Sequence, residues 1–137
     1  MSEKEILTIR IILDGSESLN GGSQKIVMIH FHGDCQSELF HGTLIPGGID
    51  TQRIRPDGQT MLSARYMMEG TDCDQQNCRI FIENNGAVGT DGRIRTKPKI
   101  VTDSKALQWL ESAELTGTVT SAADKEILIH IFYTAEK

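Results

Sequence analysis

The chain has 137 residues, 38% of them hydrophobic and 24% charged, which is the size of one domain able to bury about two thirds of its unfolded surface in a single core. Fourteen Lys and Arg against 19 Asp and Glu leave a net charge of -5, which repels a phosphate backbone and argues against nucleic acid as a partner. No apolar stretch nears the roughly 18 residues that cross a bilayer, and Met1 to Glu5 lacks the basic segment and apolar run of a secretory leader, so a cytoplasmic protein with no membrane partner is expected.

Apolar residues recur with period two far more often than with period 3.6, so the chain reads as strands. Residues 5 to 13 place Leu7, Ile9, Ile11 and Leu13 on one side and Ile6, Thr8, Arg10 and Ile12 on the other. A Gly-Ser-Asn-rich loop is expected over 14 to 23, then strands over 24 to 32 and 38 to 45 divided by Gly33-Asp34. Pro46-Gly47-Gly48 bends the chain before an extended piece at 49 to 55, which meets 59 to 69 across Pro56-Asp57-Gly58. Asp-Gly between extended runs is a strong hairpin signal.

Further strands are expected at 78 to 84, 92 to 101, 112 to 120 and 125 to 134, with turns at Asn85-Gly86, Asp91-Gly92 and Ser121 to Asp124. Thr102-Asp103-Ser104 offers N-caps for one short helix through residues 105 to 110, too brief to cover a sheet but able to plug one end of a barrel. About eight short strands fit a barrel or a sandwich, and closure is favoured because it removes exposed edges. Residues 1–137 are thus expected to form a single all-β domain, an antiparallel β-barrel with room inside for side chains or one small ligand.

Three cysteines are an odd number for a disulfide framework, and Cys73 and Cys78 lack the close second pair of a zinc site, so all three are read as reduced thiols. His30 and His32 share a strand face and with His41 offer three metal ligands. The spacing is not that of a cupin, and strand histidines commonly face solvent, so no metal is expected. Arg93, Arg95, Lys97 and Lys99 alternate with Ile94, Thr96, Pro98 and Ile100; the stripe either holds an anion or is the solvated face of a half-buried strand. Gly21-Gly22-Ser23 leads into a strand and lacks phosphate-loop spacing. No nucleophile elbow or dinucleotide fingerprint occurs, so no cofactor is expected.

His41 to Asp50, with its Pro-Gly-Gly turn, then Arg55-Pro56-Asp57-Gly58 and Ser63-Ala64-Arg65-Tyr66, resemble the uncharacterised family called domain of unknown function 3237. The similarity continues through Arg95-Thr96-Lys97-Pro98 and Trp109-Leu110. It implies a calycin-like or allene-oxide-cyclase-like barrel and no established reaction. By motif position it singles out Gly47, Gly48, Asp50, Arg65, Tyr66 and Arg95, while Thr51 and Ser63 depart from the family pattern, Ser63 standing where an acid is usual.

Two functional classes follow. In the first, a small-molecule-binding barrel, Arg65 and Arg95 hold a carboxylate or enolate oxygen, Tyr66 and Trp109 supply apolar wall and Asp50 fixes the arginine. In the second, an isomerase, cyclase or lyase acting on a small carbonyl compound uses Asp50 or Glu83 as general base. Arg65 has a purely structural alternative as the partner of Asp50 or Glu83. A barrel filled by its own side chains and acting through assembly is the third possibility; a homodimer is the default form of assembly.

Overall fold

A computed structural model describes residues 2–135. Nine strands, β1 (Ser2–Asn20), β2 (Lys25–Gln36), β3 (Phe40–Leu44), β4 (Gly48–Ile54), β5 (Thr60–Asp72), β6 (Asn77–Val88), β7 (Ile94–Thr102), β8 (Leu115–Ala123) and β9 (Glu126–Ala135), form one antiparallel sheet. Its order, β1-β9-β8-β7-β6-β5-β3-β2-β4, closes through β1–β2 and β5–β4 pairs. Both β3 and β4 lie between β2 and β5: β3 pairs with residues 34–36 and 68–72, β4 with residues 25–31 and 60–65. They are two halves of one position parted at Ile45-Pro46-Gly47, so the ring has eight positions.

The hairpin at Pro56-Asp57-Gly58 forms as expected, with the Gly58 N–H donating to Arg55 O at 2.8 Å and the Arg55 N–H to Gln59 O at 2.9 Å. Three loop or turn expectations are corrected. Residues 15–20 continue β1 past a bulge after Leu13 and pair with β2 down to Asn20 against Lys25, so only residues 21–24 turn. Their Ser-Asn-Gly content reads as loop, yet a ladder partner outweighs weak strand propensity.

Gly33-Asp34 and Asn85-Gly86 lie inside β2 and β6 rather than at turns. Both glycines mark close backbone approach: a Cβ on Gly33 would stand 2.0 Å from Arg10 O, and one on Gly86 2.2 Å from Arg95 O.

Strand parity sets the interior. Leu7, Ile9 and Ile11 of β1, Phe40 of β3, Met68 of β5, Ile80 and Ile82 of β6 and Ile131 of β9 are fully buried. Apart from Ile11, which borders the other end, they fill one end of the barrel. That end is closed by the segment after β7, where the expected helix is a single 3-10 turn, Gln108–Glu111, whose Leu110 and preceding Leu107 are buried in the core.

The closing segment is stapled rather than helical. The Ser104 hydroxyl accepts the Leu107 N–H at 3.1 Å and donates to Asp72 Oδ2 at 2.6 Å, while the Thr102 N–H donates to a Glu111 carboxylate oxygen at 3.0 Å. The Ser104 hydroxyl and the backbone N–H groups of Gln76 and Asp74 hold the Asp72 carboxyl below its ordinary value. The stabilisation from this network is therefore present above the unfolded aspartate value and is lost as pH falls through the folded one.

The three cysteines are free, Cys35 and Cys78 buried and Cys73 exposed. Among the described residues no helix is long and apolar enough to cross a membrane.

Candidate functional site

The end of the barrel opposite the 3-10 turn is not filled. A cavity of about 430 Å³ opens there, walled by Ile11, Leu13, Ile29, Phe31, Val119 and Ile127 and carrying Asp50, Gln52, Asn84 and Thr96 among these apolar groups. Its rim includes Gly92, Arg93, Thr120 and Ser121. The volume and the mixture of apolar wall with a few polar groups are those of a small-molecule site.

Ladder register brings the polar groups together. Asp50 is paired with Ala64 and Ala64 with Asn84, so these three stand in one row across β4, β5 and β6, on one face of the sheet. The next row toward the mouth runs Gln52, Leu62, Gly86 and Thr96.

Asp50 Oδ1, Asn84 Oδ1 and Thr96 Oγ1 are buried and have no hydrogen-bond partner among the described residues. Asn84 and Thr96 are 4% and 6% exposed. Leaving such a group unpaired costs about 1–3 kcal/mol, and native proteins rarely tolerate several side by side. The other Asp50 oxygen accepts from Gln52 Nε2 at 3.1 Å. Burial raises the Asp50 carboxyl above its ordinary value, against the lowering by that hydrogen bond and by the Ser63 backbone N–H.

Tyr66 stands two residues beyond Ala64 on the same face, buried, its ring edge-on to Phe31 at 5.6 Å between centroids. Its hydroxyl also lacks a partner, and burial pushes its ionisation far above the ordinary range.

The inward set on β5 is Leu62, Ala64, Tyr66 and Met68, so Ser63 and Arg65 face outward. Arg65 pairs with Glu83 at 3.3 Å, and Ser63 donates to Asn85 at 2.6 Å. Inward Asn84 likewise sends Glu83 out, and inward Thr96 sends out Arg95, which grips Asp91 through two hydrogen bonds of 3.1 and 2.7 Å.

The two arginines and Glu83 therefore do not share a pocket with Asp50, and Asp50 fixes neither arginine. Trp109 stands on the 3-10 turn at the closed end, 40% exposed and packed edge-on against Tyr133 at 5.0 Å, so it forms no wall of this cavity. Of the residues singled out from sequence, Asp50 and Tyr66 belong to the barrel interior. Asn84 and Thr96 were missed.

The histidines point outward. His30 meets Glu17 at 2.5 Å and His32 meets Asp14 at 2.9 Å, each as a separate surface pair, and His41 is exposed. Among the described residues no three potential ligands converge on a metal position.

A larger concavity of about 1050 Å³ lies on the outer face of β4 to β8. Several of its polar groups are already paired, Ser63 with Asn85, Arg95 with Asp91 and Thr116 with Glu3, and others, such as Arg53 and Lys97, are exposed to solvent. The inner cavity, whose unpartnered polar groups are buried rather than solvated, is the stronger candidate.

A family model described as a protein of unknown function (DUF3237) matches residues 3–93. A UPF0311 protein of Clostridium acetobutylicum is 38% identical over 103 residues, 72% of this chain and 57% of that protein, so the chain spans little more than half of that relative's length. A UPF0311 protein of Rhodopseudomonas palustris is 26% identical over 124 residues, 78% of each chain.

Among solved structures, a protein of unknown function from Clostridium acetobutylicum superimposes with a TM-score of 0.83 at 26% identity, covering 98% of this chain and 100% of that one. A β-barrel-like protein from Acinetobacter baumannii gives 0.80 at 14% identity, covering 96% and 94%. An enzyme from Penicillium herquei gives 0.72 at 16% identity, covering 95% and 93%. The last two share the fold.

Proposed function

We propose that this chain, which belongs to the DUF3237 family of proteins of unknown function, is a barrel that binds a small, largely apolar molecule in the cavity at its open end. One observation carries the reading: three buried, unpartnered polar atoms, on Asp50, Asn84 and Thr96, belong to residues lining one apolar cavity. A ligand that pairs with them recovers the desolvation cost they impose on the empty barrel. Arg65 and Arg95, engaged outside, take no part.

Native mass spectrometry of the purified protein tests this. The expected result is an adduct on the order of a few hundred daltons, the size such a cavity accommodates, that survives Arg65→Ala and is lost in Ala64→Trp, whose indole occupies the cavity. Circular dichroism checks that Ala64→Trp remains folded. An adduct lost in Arg65→Ala and kept in Ala64→Trp would place the ligand on the outer face and overturn the proposal.

Catalysis is the second reading, favoured by one feature: Asp50, a lining residue of the cavity, is a buried carboxyl of raised affinity for its proton with one oxygen unpartnered. It retains the acid/base role expected for Asp50 and drops Glu83, which is salt-bridged outside.

A further inference from the structure

The cavity has two chemically different ends. Deep in its wall, Asp50 and Asn84 each have a buried, unpartnered oxygen and Thr96 an unpartnered hydroxyl. At its rim stands Arg93, exposed and without an ion pair among the described residues.

Asp91, the acid closest in sequence to Arg93, is engaged by Arg95 at 2.7 Å and by the Arg93 backbone N–H at 3.0 Å, so its carboxylate is bonded to Arg95 and acts on the Arg93 guanidinium only through space. Gly92, with φ of +81°, turns the chain just before β7, so Arg93 belongs to the rim although it shares parity with the outward Arg95.

Along β6, the row of Asn84 and the level of Arg93, which pairs with Gly89, are five residues apart, or about 17 Å at strand rise. The arginine side chain is long enough to cover part of that span. A rigid molecule of two fused rings is of suitable length for what remains.

We infer that the ligand of this site is bipolar: an apolar, ring-like body carrying a hydrogen-bond donor that seats against Asp50 and Asn84 and an anionic group held by Arg93 at the mouth. The inference rests on the binding reading above and names its ligand class. Two ends of opposite demand orient such a molecule uniquely. A carboxylate inserted the other way would meet the acceptor oxygens of Asp50 and Asn84 with no cation nearby, since Arg65 and Arg95 are outside.

The test is a titration with three probes: 6-hydroxy-2-naphthoate, 2-naphthoate, which lacks the deep donor, and 2-naphthol, which lacks the anion. Wild type should bind the first about tenfold more tightly than either of the others, since each lost hydrogen bond to a charged group costs about that factor. Asp50→Ala should bring 6-hydroxy-2-naphthoate down to the affinity of 2-naphthoate, and Arg93→Ala down to that of 2-naphthol.

Equal affinity for all three probes in wild type, or an Arg93→Ala effect equally large on 2-naphthol, would overturn the inference while leaving a cavity that binds apolar molecules. Binding of all three unchanged by Ala64→Trp would instead overturn the cavity reading. Thermal melts of Asp50→Ala and Arg93→Ala guard against misfolding, and Arg93→Lys, which keeps the charge, should retain most of the preference for an anion.

Discussion

Replacing Asp50 by Asn should make the protein more stable at neutral pH and leave it nearly unchanged at acidic pH. Burial raises the folded-state value of this carboxyl above the ordinary 3.8, so the native state holds the proton more tightly than the unfolded chain does. The favourable contribution is then fully present below the unfolded value and is lost as pH rises through the folded one. Asn keeps the shape of the protonated acid and does not titrate.

The difference between variant and wild type is thus close to zero below the unfolded aspartate value and grows in the variant's favour as pH rises to 7, where wild type keeps an under-paired charge partly buried. Chemical denaturation at a series of pH values reads it. A variant less stable than wild type at every pH would mean that Asp50 is a structural carboxylate with a partner, and the cavity would lose its principal polar group. Gain of stability on removing a polar residue is the signature of a group kept for a task other than folding.

The largest loss of stability should come from the closed end. Phe40 is 0% exposed at the start of β3, in the core cluster that includes Met68, Ile80 and Leu107. Phe40→Ala removes most of a fully buried ring from a densely packed region and should cost about 3–5 kcal/mol, a fall in melting temperature of roughly 10–20 °C for a domain of this size. Met61, 45% exposed on β5, gives the contrast: Met61→Ala should stay within about 0.5 kcal/mol. A mild Phe40→Ala phenotype would show that the closed end is loosely packed and that the cavity is not confined to the open end.

Much of the barrel is legible in the sequence because its strands alternate cleanly. Leu7, Ile9 and Ile11, or Ile80 and Ile82, declare their inner face at once, and Asp57-Gly58 declares its hairpin. The strand limits are less legible where composition and ladder disagree. Residues 15–20 have polar side chains suited to a loop, but they also have a strand beside them to pair with, and pairing is a property of the neighbour.

The candidate site was half legible for a related reason. Arg65 draws attention as a cation beside Tyr66, yet Leu62, Ala64, Tyr66 and Met68 are the apolar parity of β5, and that parity alone puts Arg65 outside. The same reasoning sends Arg95 outward from Thr96, Pro98 and Ile100.

The signal that went unread was the polar residue on the inner parity. Asn84 continues the run Ile80, Ile82 and Thr96 precedes Pro98 and Ile100, so each interrupts an apolar face. A buried polar residue says more about function than an exposed charge does. That these two lie near Asp50 follows from cross-strand register, which no local pattern contains.

Asn84 and Asn85 permit the most direct test of where the ligand sits. They are neighbours on β6 facing opposite sides of the wall, Asn84 lining the inner cavity and Asn85 the outer concavity, where it is bonded to Ser63. In a spectrum of nitrogen-15-labelled protein titrated with 6-hydroxy-2-naphthoate, the side-chain amide signals of Asn84 should shift while those of Asn85 stay in place. Movement of the Asn85 amide with Asn84 unchanged would put the ligand on the outside of the barrel and contradict the account.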